Sequence, residues 1–112
     1  MKQDLTSEGD RLLEMLSALA NPHRLRIVAA LHVNGRTYVS QLARDLGISR
    51  PLLPLHLRKL EEAGLVRSQL ELSPEGKALN FFEVAPFTAE LTPLAIAEAT
   101  QSLSSTPNKT AP

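Results

Sequence analysis

The chain has 112 residues, no cysteine, and twelve Lys/Arg against twelve Asp/Glu. That length suits one compact domain rather than a multi-domain enzyme, and the missing thiols exclude disulfides, thiolate metal sites and cysteine nucleophiles. The neutral total hides an asymmetry, because residues 1–60 hold nine Lys/Arg and five Asp/Glu whereas residues 61–112 hold three and seven. A basic face is thus available inside a neutral chain. Apolar runs are broken by charges and prolines before membrane-spanning length, and the start, Met1-Lys2-Gln3-Asp4, lacks the apolar core of a secretory signal. A cytoplasmic protein without a membrane partner is expected.

In chain order, Leu12, Leu13, Leu16 and Leu19 recur at helical spacing between Thr6 and Leu19, behind the acidic opening residues Glu8 and Asp10. Asn21-Pro22 is a cap followed by proline at a first helical position, and Leu25, Ile27, Val28 and Leu31 form the expected buried stripe of a second helix that ends at Asn34-Gly35. A short third helix is expected over Val39 to Leu46, stopped by Gly47. A fourth is expected over Arg50 to Ala63, capped by Ser49 and stopped by Gly64, which leaves Gly47, Ile48 and Ser49 between the two.

After Gly64 the period changes to two: Val66, Leu70 and Leu72 alternate with Arg67, Gln69 and Glu71, as in a half-buried strand. Ser73-Pro74-Glu75-Gly76 has type I turn preferences, and Leu79 to Val84 offers a returning strand. The competing reading makes Ser73-Pro74 a helix start; Phe81, Phe82 and Val84 weigh against it. Thr92-Pro93 opens a fifth helix with Leu94, Ile96, Ala97 and Leu103 available for burial. The polar stretch 104–112 has no large apolar side chain and is expected to be a disordered tail behind a domain of residues 1–103.

The fold class expected is α+β and mostly helical: about five helices with one two-stranded hairpin, in the order of a winged helix-turn-helix. In that arrangement one helix enters the DNA major groove, the preceding helix braces it, and the hairpin lies against neighbouring phosphates or the minor groove. The reading helix would begin near Ser49.

The residues also resemble a known family. Leu19-Ala20-Asn21-Pro22-His23-Arg24-Leu25-Arg26-Ile27-Val28, then Leu42-Ala43-Arg44-Asp45-Leu46-Gly47-Ile48-Ser49, then His56-Leu57-Arg58-Lys59-Leu60-Glu61-Glu62-Ala63-Gly64-Leu65-Val66 are similar to the ArsR family of bacterial and archaeal repressors. The resemblance runs from about Leu12 to Val84. It implies a homodimer joined through the first and last helices, a palindromic operator, and often release by a ligand, here an unidentified small-molecule effector. Ser49 and His56-Leu57 match the family's reading helix, whereas Leu52, Leu53, Pro54 and Leu55 depart from its polar pattern. The cysteines of its metal sensors are missing from Val39 to Asp45, and their aspartate and histidine from Pro93 to Leu103. No metal and no cofactor is expected.

On a helix, Leu53, Leu57 and Leu60 share a buried side and leave Leu52 and Leu55 near the opposite face, where apolar contact with thymine methyls is one use for them. Arg50 at the helix start suits a guanine edge or a phosphate. Pro54 removes a donor from the second turn and is expected to distort the start of the helix. Arg58 and Lys59 suit phosphates, with Glu61 and Glu62 near enough to hold them instead. Ser40 at the start of the third helix and Lys77 beside the wing turn complete the expected DNA-binding set. His56 is expected to be packed and hydrogen-bonded, His23 to sit in the first turn of its helix, and His32 to complement a helix dipole. Leu12, Leu13, Leu16, Leu94, Ile96 and Ala97 are the expected dimer interface. The alternative function is a protein-interaction module that uses the Leu52–Leu55 surface. An enzyme is disfavoured, since no nucleophile–base pair, paired carboxylates or phosphate loop is found.

Overall fold

The computed structural model describes residues 7–104, so all of the expected tail except Ser104 lies outside the described residues. The first helix, α1 (Glu8–Leu19), starts where Ser7 Oγ accepts the Asp10 N–H at 3.0 Å. In α2 (Pro22–Asn34), Asn21 Oδ1 accepts from the His23 and Arg24 amides at 2.8 and 3.2 Å, and Pro22 fills the first position. The third helix, α3 (Val39–Leu46), closes on Gly47 at φ 67°, a left-handed conformation that a Cβ would oppose. Next come α4 (Leu53–Glu62) and, near the end of the described chain, α5 (Pro93–Thr100), which Thr92 caps through its hydroxyl.

Three strands rather than two form the sheet: β1 (Thr37–Tyr38), β2 (Val66–Leu72) and β3 (Ala78–Val84), antiparallel in the order β1-β3-β2. The extra strand pairs Thr37 with Phe82 and Tyr38 with Phe81. Two residues are too few to display an alternating pattern, so the local sequence carries no trace of β1. The hairpin prevails over the helix start at Ser73. Gly76 donates to the Ser73 carbonyl at 2.8 Å, and Ser73 Oγ accepts from the Glu75 and Lys77 amides. Gly76 has φ 86°, which suits the glycine end of such a turn.

The core lies between the helices and the base of the sheet. Ile27, Leu31, Leu42, Leu53, Leu57, Leu60, Leu65 and Val66 are its most completely buried members. At about 1.5–3 kcal/mol per buried aliphatic side chain, this set holds α4 against α2, α3 and the sheet. Three burials expected in α2 and β2 fail. Leu25 is exposed because Ile27 and Leu31, four residues apart, define the inward side of α2. Leu70 and Leu72 are exposed because β2 projects beyond the helices after Val66, and no layer covers it there. The resulting fold is a winged helix-turn-helix, with α3 and α4 as the helix pair and β2–β3 as the wing.

Candidate nucleic-acid interface

The reading helix starts three residues later than its sequence suggests. Ser49 does not cap α4; it closes a tight turn in which its carbonyl accepts from Leu52 and Leu53 at 3.1 and 3.0 Å, while its hydroxyl accepts from Leu52 at 3.3 Å. The linker therefore runs from Gly47 to Leu52, and Leu52 occupies the cap position without a side-chain bond. Proline explains the shift. Pro54 has no N–H to give the Arg50 carbonyl, so the regular helix does not include Arg50. Beginning at Leu53 puts Pro54 in the first turn, where a missing donor costs little, and the distortion expected at Pro54 falls ahead of the helix.

Behind α4, Arg24 joins three helices. Its Nε donates to the Ala18 carbonyl in the last turn of α1 at 2.6 Å, and its guanidinium lies 3.3 Å from His56 Nδ1 on α4. Because arginine only donates, Nδ1 must be the unprotonated nitrogen. Removal from solvent, then the charge of Arg24, then neighbouring His23 hold the His56 pKa below the ordinary histidine value. The His23 and His56 rings are 5.3 Å apart. His56 is thus packed and hydrogen-bonded as expected. His32 sits in the last turn of α2, nine residues beyond His23 and roughly 13 Å along the helix. Among the described residues no three His, Asp or Glu side chains gather in a metal-binding group.

In front, a cleft of about 450 Å³ separates α4 from the wing. Ser40, Arg50, Pro54 and Arg58 line it together with Tyr38, Glu61, Asn80 and Phe82. Ser49, Leu52, Leu55 and Lys77 lie outside the cleft, on exposed or partly exposed surface at the helix start and the wing turn. Lys59 faces elsewhere, into a groove against α1 that it shares with Asp10, Glu14 and Glu62. Glu61, a candidate partner for Arg58, instead accepts from Ser68 on the wing at 2.9 Å. Asn80, like Tyr38, is a lining residue that the sequence analysis passed over. Its place two residues before Phe82, on the same face of β3, was the available signal.

The opposite face of the wing is closed by ion pairs. Arg36 grips Glu71 with two bonds of 2.8 Å and lies 4.1 Å over the Phe81 ring, and Arg67 pairs with Glu83 at 2.8 Å. The wing's one basic side chain besides Lys77, Arg67, is therefore occupied behind it, as is Arg36, while Arg50 and Arg58 make no ion pair among the described residues.

The six residues expected at a dimer interface lie on α1 and α5. Leu12, Leu13, Leu16 and Ile96 line a narrow, almost wholly apolar groove of about 150 Å³ between α1 and α5, beside Gly9, Ala99 and Leu103. Leu94 and Ala97 stand on the exposed outer side of α5.

A family profile described as a helix-turn-helix domain matches residues 19–69, the stretch from the end of α1 into β2. Residues 19–69 are thus similar to a helix-turn-helix domain. Over 61 residues it is 43% identical to an uncharacterized HTH-type transcriptional regulator of Methanocaldococcus jannaschii, covering 54% of this chain and 63% of that relative. The match thus spans less than two thirds of the relative's length. The transcriptional regulator HlyU of Vibrio vulnificus superposes with TM-score 0.56 at 25% identity, over 81% of this chain and 82% of its own. An ArsR family transcriptional regulator superposes with TM-score 0.55 at 24% identity, over 90% of this chain and 89% of its own. The shared fold covers more of the chain than the profile match does.

Proposed function

We propose that this chain is a transcription regulator that binds duplex DNA sequence-specifically and represses as a homodimer on a palindromic operator. The observation that carries the reading is the pair Arg50 and Arg58, which open onto one cleft between α4 and the wing and are given to no carboxylate among the described residues. A polyanion is the partner that suits two guanidinium groups that make no ion pair among the described residues, on the exposed side of a helix-turn-helix domain. In this reading α4 lies in the major groove with Arg50 at a base edge, and Ser40 and Arg58 hold the backbone that enters the cleft. Leu52, Pro54 and Leu55 face the bases. Lys77 reaches phosphates from the wing turn and Ser49 shapes the turn that presents Arg50, while Lys59, turned towards α1, lies off this interface.

Residues 1–103 are proposed as one domain for DNA binding and dimerisation. A second copy covers the exposed apolar residues of α1 and α5, Leu13, Leu94 and Ile96 among them, and sets two reading helices about 34 Å apart. An unidentified small molecule is the effector. The test is binding of the full chain to random duplex DNA across a salt series. Affinity should fall steeply with salt, and Arg50→Ala should weaken binding by about 1–3 kcal/mol while leaving the thermal midpoint in place. Salt-insensitive or absent binding would overturn the proposal and assign the Leu52–Leu55 surface to a protein partner.

A further inference from the structure

We infer that α4 reads thymine 5-methyl groups, so that the preferred half-site is defined by thymines facing Leu52 and Leu55 beside the contact made by Arg50. The inference rests on the DNA-binding reading above and concerns what that site selects. Between Ser49 and Leu60 there is no Asn, Gln, Asp, Glu or Thr. Adenine is ordinarily read by an Asn or Gln amide and cytosine by a carboxylate, so neither reader is available at the start of this helix. The hydroxyl of Ser49 accepts from Leu52 within its own turn, His56 is engaged with Arg24, and Pro51 and Pro54 have no backbone N–H. What remains outward is apolar: Leu52 is 52% exposed and Leu55 54%, three residues apart and so neighbours on one face.

The thymine methyl is the apolar group on a base edge in the major groove, and it is the part of the duplex that suits two leucines. Charge decides between DNA and a protein as the occupant. Arg50 precedes the leucines, Arg58 lies three residues beyond Leu55, and neither has a carboxylate partner among the described residues, which places the apolar face inside a cationic frame that suits a polyanion.

The experiment uses the full chain and the duplex it selects from a random pool, compared with the same duplex carrying deoxyuridine for thymidine at one position at a time. Only a methyl is removed. Each contacted position should lose about fourfold in affinity, the value of one buried carbon, with the salt dependence unchanged because no phosphate contact alters. Leu55→Gln, at an exposed site that glutamine tolerates in a helix, should bind the thymine and uracil forms equally at the position it faces and keep the same salt dependence. Equal affinity of the unaltered chain for all thymine and uracil duplexes, with salt-dependent binding intact, overturns this inference alone. Loss of salt-dependent binding to every duplex overturns the DNA reading as well, and the two failures are distinct in the data.

Discussion

Arg24 ties the end of α1 to α4 through two bonds, and one of them requires His56 to be neutral at Nδ1. In the unfolded chain histidine titrates near 6.5, whereas in the fold burial, Arg24 and His23 push His56 lower. Above pH about 6.5 both states are neutral and the contact contributes fully. As the pH falls below that value the unfolded chain takes up the proton first, so stability drops until the folded pKa is passed. Urea midpoints should therefore decrease between pH 7.5 and pH 5, and His56→Gln, which keeps an acceptor without the titration, should reduce the decrease. An unchanged pH dependence in that variant would exclude His56 as its source. The histidine's packed state was legible from its place beside the stripe of Leu53, Leu57 and Leu60. Its partner was not, because Arg24 lies 32 residues away and nothing local distinguishes it from a solvated arginine.

At the scale of elements, most boundaries follow from caps and stops, and the exception is α4. There Ser49 resembles a helix cap, but Pro54 removes the donor that a helix starting at Arg50 would give to the Arg50 carbonyl, so the local competition is won by a turn. The wing shows the other kind of dependence. Its length is written in the alternation of β2 and the turn at Ser73–Gly76, yet its attachment depends on β1 and on Arg36, which spans from the α2–β1 connection to Glu71. Both partners are more than a third exposed on their side chains, so solvent screens the pair. Arg36→Ala should lower global stability by no more than about 1 kcal/mol. Amide exchange in β2 and β3 should nevertheless accelerate, because the bracing bonds are lost from that element alone. Unchanged exchange in the wing would show that strand pairing suffices to hold it.

For the whole molecule the decisive packing is α1 against α5. Gly9 donates to Ser102 Oγ at 2.9 Å, and a Cβ at Gly9 would collide with the Ala99 carbonyl. Ser104 adds bonds of 3.0 and 2.6 Å to the Asp10 carboxylate and lowers its pKa. Gly9→Ala should cost about 1–3 kcal/mol through overpacking against backbone that cannot yield. If α1 and α5 form the proposed dimer face, the same variant should shift sedimentation at micromolar concentration towards monomer, while a dimer that survives α5 displacement would place the interface elsewhere. In the sequence Gly9 is a weak point in a helix and gives no hint of a partner 90 residues on. What the sequence determined by itself is the set of features governed within about four residues: the Asn21 and Thr92 caps, the Gly47 stop, the wing turn and the apolar side of α4. Only the tertiary structure decided the third strand, the Arg24 link, the seating of Gly9 and the cleft that joins Arg50 to Arg58. Those features arise from burial and pairing between distant segments, and their energies do not exist until the chain has closed on itself.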